Sequence, residues 1–298
     1  MKKVTLLIAS LIAIPFLIIA QENEKSYLDE KGRKQLCGTI ELALLENDTT
    51  YSGWYKESQE NYTPNISIIE NKKDLENMNV TIYLGTWCGD SKNWVPKFIK
   101  VWDQLGLSRE QLDFIALYND DERYKQGPNG EEKGMNIHRV PTFIFTKKGE
   151  EVGRIVEHPI NDLETDLAQI AFGIPSRPSY RGANYLMKAF DEMGVEGVKE
   201  NFKEVVNKVY RLQGRSSELN TLGYVYLRSG EIEKALTTFY MNTLCNRYDP
   251  NVYDSYAEAL EEKGNIESAI KYYEKSLEIN PKNDHAIERL ASLRIEED

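Results

Sequence analysis

A 34-residue period in the last third of the chain constrains its fold more than any other feature. Leu222-Gly223, Tyr226, Gly230, Ala235 and Phe239 recur as Tyr256-Ala257, Leu260, Gly264, Ala269 and Tyr273, and Pro281 closes the second copy. A period of that length fits one helix–turn–helix unit. The small residues Gly223, Ala235, Ala257 and Ala269 let two antiparallel helices approach, while Tyr226 and Phe239 fill the gaps. Gly230 and Gly264 supply the turn within each pair. The clear copies span residues 216–249 and 250–283. A looser copy, 180–215, turns at Gly194, and a polar helix over 284–295 is expected to cap the array. Two clear units, one loose unit and a cap reach the usual minimum for a stable stack, so residues 180–298 are expected to be all-α.

Residues 35–173 have a different pattern. Val80-Thr81-Ile82-Tyr83-Leu84, Asp113 to Tyr118 and Thr142 to Phe145 are short apolar runs that predict buried strands. Lys147-Lys148-Gly149-Glu150 predicts a hairpin turn, with Val152 to Val156 returning as a fourth strand. Thr39 to Leu45 and Tyr51 to Gln59 are helical or irregular, and Asn71 to Asn77 predicts a helix. Ser108 starts a short turn with Gln111 in capping-box position. Asn119 to Gly134, rich in charge, Gly and Pro, predicts an exposed loop. Asn161 or Asp162 caps a last helix that ends at Gly173. Residues 174–179, Ile-Pro-Ser-Arg-Pro-Ser, are the expected linker, and 21–34 a polar tether.

Between the first strand and an amphipathic segment, Lys92 to Gln104, stands Thr86-Trp87-Cys88-Gly89-Asp90-Ser91-Lys92. A cysteine at such a junction sits at a helix N-terminus, where unpaired N–H groups and the macrodipole favour a thiolate. Lys92 adds to this, and Asp90 opposes it. The position three residues on holds Ser91, so an intramolecular disulfide cannot form there.

Two resemblances follow from these motifs. The 34-residue period resembles the tetratricopeptide repeat, which implies a protein partner on the helical domain. The segment from Val80 to Arg154 resembles the thioredoxin family. Trp87-Cys88-Gly89, Pro96, Arg139-Val140-Pro141-Thr142 and Gly149-Glu150 stand in the family's order. The resemblance implies a cis Pro141 packed beside Cys88, a Val140 backbone free to pair with an extended client peptide, and a Trp87 that shields the sulfur. It also marks two departures. Ser91 occupies the resolving-cysteine position, and Ile82 stands where the family keeps a buried acid. The expected fold is therefore an α/β thioredoxin-like domain followed by an all-α tetratricopeptide-repeat domain.

Composition narrows the function. A formal net charge of -11 disfavours nucleic acid and anionic membrane surfaces. Lys2 and Lys3 precede an apolar run from Val4 to Ala20, the pattern of a signal peptide over residues 1–20. Export is expected, to a periplasm first. Extracellular release and an uncleaved membrane anchor are the alternatives, with no further span after signal removal. Besides Cys88, the chain has Cys37 and Cys245, both expected as small buried residues. Cys37 stays open as a resolving thiol. His138, His158 and His285 lack metal-ligand spacing and are expected at the surface; no metal is expected. The absence of a phosphate loop, dinucleotide fingerprint or serine elbow implies no cofactor. Two readings stand. In one, Cys88 performs monothiol exchange on protein clients. In the other, a redox-idle scaffold holds an extended peptide in its cis-proline groove.

Overall fold

The structure, a computed structural model, describes residues 25–296. The expected signal peptide lies outside the described residues. The chain enters as a hairpin of β1 (Ser26–Leu28) and β2 (Lys34–Leu36), antiparallel, with Tyr27 opposite Gln35. Residues 26–34 are therefore not a free tether. The Tyr27 ring packs 4.9 Å from that of Tyr118, and its hydroxyl accepts from Asn119 N at 2.8 Å. Thr86 donates to Gln35 at 2.8 Å and accepts from Leu36 N at 3.0 Å. Strands of three residues carry too little alternation to show in sequence, and these are fixed by long-range partners instead.

A five-stranded sheet follows, in the order β3-β5-β4-β6-β7. Its strands are β3 (Gly38–Ile40), β4 (Asn79–Leu84), β5 (Leu112–Ala116), β6 (Thr142–Lys147) and β7 (Glu150–Val156). β4 and β5 run parallel, with Ile82 opposite Phe114, and the remaining pairs are antiparallel. β4 lies at the centre, so both of its faces are covered and its sequence is a continuous apolar run. Lys148 and Gly149, both at positive φ, make the two-residue turn between β6 and β7.

The helices of this part are α1 (Leu42–Asn47), α2 (Ser52–Glu60), α3 (Lys72–Leu75), α4 (Gly89–Gln104) and α5 (Leu163–Phe172). Thr39, expected in a helical or irregular stretch, belongs to β3. α4 buries Phe98 against Phe143 and Trp102, with ring centroids 4.7 Å and 5.4 Å away. Ser108 caps a short 3₁₀ turn, but Gln111 does not complete a capping box. Its side-chain amide donates to the Leu75 and Met78 carbonyls instead. Asp162 caps α5 by accepting from Thr165 N at 2.7 Å, and Gly173 ends it in the left-handed conformation.

The rest is helical: α6 (Arg181–Glu200), α7 (Phe202–Leu212), α8 (Ser216–Arg228), α9 (Ile232–Cys245), α10 (Pro250–Glu262), α11 (Ile266–Ile279) and α12 (Asp284–Glu296). The pairs α8/α9 and α10/α11 are the two clear repeats. Gly223 is required by contact: a Cβ there would stand 2.5 Å from the Phe239 ring. Gly194, with φ 68 and ψ 177, breaks α6 at the turn expected in the looser first unit. α12 is not wholly polar, because Ala286, Leu290 and Leu293 are buried against the preceding pair.

The two parts are docked on each other. The Arg139 guanidinium donates to Ser217 O at 2.9 Å, and Gln126 donates to Arg228 O at 2.6 Å. Arg139 also lies over the Tyr180 ring, 4.4 Å from its centroid. Residues 174–179 are irregular but not loose. Pro175 packs on Gly153 of β7, and Ser176 donates to Asp166 at 2.8 Å.

Candidate functional site

Cys88 is the N-cap of α4, with extended backbone (φ -87, ψ 127) and its carbonyl accepting from Lys92 N at 3.1 Å. The free N–H groups of the first turn therefore open beside it. The side chain is half-buried, and the cysteine is free. The Val140–Pro141 peptide across from it is cis. The Cys88 thiol donates to the Val140 carbonyl, with Sγ 3.2 Å from the oxygen. This is a contact that a thiol makes and a thiolate does not. It also occupies a backbone group that the sequence reading left free for a client. The Val140 side chain is buried in a small apolar cluster with Tyr83, Leu117, Ile137 and Ile144.

Trp87 completes the wall. Its indole N–H donates to Leu117 O at 2.8 Å, and its ring lies against Gly85 so closely that a Cβ there would stand 2.4 Å away. A side chain at position 85 would displace the indole. Ser91 faces inward. It is 1% exposed, and its hydroxyl accepts from Gly85 N at 3.1 Å. The serine at the resolving position thus serves the backbone of the loop that carries Trp87 and Cys88. Ile82 is fully buried in β4, opposite Phe114 and Phe143, so this position holds an apolar side chain and no acid.

Cys37 is buried, and its hydrogen-bonding neighbour is the Tyr118 hydroxyl. Cys245 is half-buried in the helical domain, where burial pushes its thiol up to about 11.

Three site residues were not legible in the sequence. Lys125, in the segment read as an exposed loop, is 4% exposed. Backbone bonds from Lys125 N to Tyr118 O and from Tyr118 N to Gln126 O, both 2.9 Å, fold the segment back on the end of β5. The Lys125 ammonium donates to the Tyr124 hydroxyl and lies over that ring, 3.9 Å from its centroid. Among the described residues, no carboxylate lies within ion-pair distance of it. Burial, then the Arg139 charge, pull Lys125 down to about 7, while Cys88 and Glu157 act in the opposite sense. Tyr124 in turn meets the Thr221 side chain of α8. His138, expected at the surface, is 1% exposed, and burial followed by the Arg139 and Lys125 charges lowers it to about 3, so its ring is neutral. None of the three has a periodic or spacing signal; a polar run gives no sign that a distant helix will meet its Tyr124.

Comparison with known proteins agrees with this fold class. The Tetratricopeptide repeat family matches residues 250–283. Thioredoxin H9 of Arabidopsis thaliana is 26% identical over 99 residues, 33% of this chain and 64% of that protein. The chain therefore matches somewhat less than two thirds of this relative's length. The fold is a thioredoxin-like α/β domain followed by tetratricopeptide-type helical repeats. Among the described residues, no helix is long and apolar enough to cross a membrane.

Proposed function

We propose that this thioredoxin-like protein carries out thiol–disulfide exchange on protein clients through Cys88 alone, while its helical repeats bind a protein partner. The carrying observation is the half-buried sulfur at the α4 N-cap, opposite the cis Val140–Pro141 peptide, with Ser91 turned into the core. The Cys88 thiolate attacks one sulfur of a client disulfide. A Cys88–client disulfide forms, the client S–S bond breaks, and the other client sulfur leaves as a thiolate. No second thiol at position 91 can release the adduct, so a client thiol or an external thiol attacks it and takes its place. Isomerisation or removal of a mixed disulfide follows more directly from this than net reduction.

The reading includes export, supported by Lys2, Lys3 and the apolar run to Ala20. It assigns Trp87, Val140 and Pro141 to the client-facing wall. The deciding experiment traps mixed disulfides on the wild-type chain in its own compartment and resolves them by non-reducing electrophoresis. Adducts that vanish on reduction and are absent from Cys88→Ala support exchange. An absence of adducts, with partner capture unchanged in Cys88→Ala, leaves the scaffold reading. Fractionation and the N-terminal residue of the mature chain test export.

A further inference from the structure

A cleft of about 810 Å³ lies between the two domains, within the size range of ligand-binding clefts. One wall is the turn of the β1–β2 hairpin together with residues 119–121. The other is Tyr224 and Arg228 of α8, Asp254 and Glu258 of α10, and His285 of α12. Tyr124 also lines it and meets Thr221 of α8, so the two walls touch there. The cleft is a short step along the chain from the thiol site. Leu117 O accepts the Trp87 indole N–H at 2.8 Å, and Asn119, two residues on, belongs to the cleft wall.

The charge of the cleft is one-sided. Asp29 is paired with Arg33 at 2.8 Å, Asp120 with Arg123 at 2.6 Å, and Glu258 with Arg228. That leaves Glu30, Asp121 and Asp254 facing Lys31. Among the described residues, no lysine or arginine comes within ion-pair distance of these three carboxylates. Asp254 is the informative one, because it is only 7% exposed. Its ion-pair partner is His285, with Nδ1 at 3.1 and 3.0 Å from its two oxygens, and that ring is a cation only when protonated. A buried carboxylate without a fixed cation is costly unless a ligand supplies one. Tyr124 and Tyr224 add apolar surface along which the stem of a lysine or arginine can lie. Among the described residues, no three His, Cys, Asp or Glu side chains are grouped to hold a metal ion, so the fitting cation is an organic one. A second copy of the chain, at net charge -11, is disfavoured by repulsion.

We propose that this interdomain cleft recognises the client itself, holding an extended, lysine- or arginine-bearing segment of the protein whose disulfide meets Cys88. The client of the thiol site and the partner of the helical repeats are then one protein. A client cation sits against Asp254, while Glu30 and Asp121 at the hairpin side draw the segment in. The inference rests on the exchange reading for its purpose, but binding in the cleft does not require a working thiol.

The test measures binding to the full chain by fluorescence anisotropy. Its probes are three short labelled peptides without cysteine, in which alanine alternates with lysine, glutamine or glutamate. The lysine peptide is expected to bind about tenfold more tightly than the glutamine peptide, and the glutamate peptide least, with the preference shrinking as salt is added. Glu30→Lys combined with Asp121→Lys is expected to weaken the lysine peptide about fivefold, and Asp254→Asn about tenfold. Glu60→Lys combined with Glu76→Lys makes the same change of net charge outside the cleft and is expected to leave binding unchanged. Equal affinity for the lysine and glutamine peptides, or an equal loss in the two double variants, overturns the proposal. Should Asp254→Asn fail to fold, the exposed pair Glu30 and Asp121 decides. A dimer in solution that Glu30→Lys with Asp121→Lys dissolves gives the cleft to a second copy and likewise overturns it. Selective binding of the lysine peptide without any trapped client keeps the cleft and removes the exchange reading. Trapped clients that form equally in wild type and in Glu30→Lys with Asp121→Lys, with no peptide preference, remove the cleft alone.

Discussion

The Arg139 guanidinium, one residue before Val140 in the cis-proline loop, donates to the Ser217 carbonyl in the first turn of α8, 2.9 Å away. One side chain thus ties the wall of the thiol site to the first clear repeat. Its stacking on Tyr180 and its pairing with Glu157 fix it from two further directions. Arg139→Ala is expected to lower global stability by about 1–3 kcal/mol, since the Ser217 carbonyl and Glu157 lose a charged donor. Hydrogen exchange should accelerate at residues 139–142 and 216–220 together. Acceleration confined to the loop would show that the link does not couple the domains.

Ser91 gives a second prediction. Its hydroxyl is buried and satisfies Gly85 N. Ser91→Ala leaves that N–H without its acceptor and is expected to cost about 1–3 kcal/mol in urea unfolding. Ser91→Cys restores a thiol three residues after Cys88. It is expected to convert long-lived client adducts into an internal disulfide, seen as the loss of two titratable thiols on oxidation and the disappearance of trapped clients. Persistent adducts in Ser91→Cys would mean that position 91 cannot reach the sulfur.

Lys125 makes stability depend on pH in a definite direction. Its ammonium titrates near 7 in the folded chain against a usual value of 10.5. Between those values the unfolded chain binds more protons at this group, so stability rises with pH across the window. The slope approaches about 1.4 kcal/mol per pH unit. As pH falls through the window this contribution is lost, and below it both states carry the charge. Lys125→Met is therefore expected to be more stable than wild type at pH 7, with the difference shrinking toward pH 10. Urea midpoints across that range check it, and a constant difference would show that the ammonium is hydrated in the folded state.

Gly223 tests the repeat packing. A Cβ there meets the fully buried Phe239 ring at 2.5 Å. Gly223→Leu gains about 1 kcal/mol of helix propensity but forces α8 and α9 apart, and overpacking of this kind costs about 1–3 kcal/mol. With a side chain this large the second effect is expected to win, lowering the melting temperature of the helical domain.

The helical repeats were legible because their signal is a period: Gly223/Ala257 and Phe239/Tyr273 announce both the fold and the tight contact. The central strands were legible because β4, covered on both faces, has to be apolar throughout. Cys88, Trp87 and Pro141 were found from local motifs. What the sequence hid was settled by partners far along the chain. The β1–β2 hairpin depends on Tyr118 and Thr86, and Tyr124 and His138 meet Thr221 and Tyr180, which lie some forty to a hundred residues later. A lysine in a Gly- and Pro-rich run satisfies every expectation of a loop until α8 closes over its neighbour Tyr124. Ser91 was read as a missing thiol, although in the fold it is also an acceptor that Gly85 uses.

The shared border at Tyr124, Arg139 and Tyr180 has a consequence for recombination. Thioredoxin-like and repeat modules invite exchange as separate cassettes joined at residues 174–179. Here a chimera cut at that point would keep Cys88 and discard Thr221, Ser217 and Tyr180, leaving Tyr124 and Arg139 without these partners. A transplant that preserves these contacts has to carry Tyr180 and α8 with it.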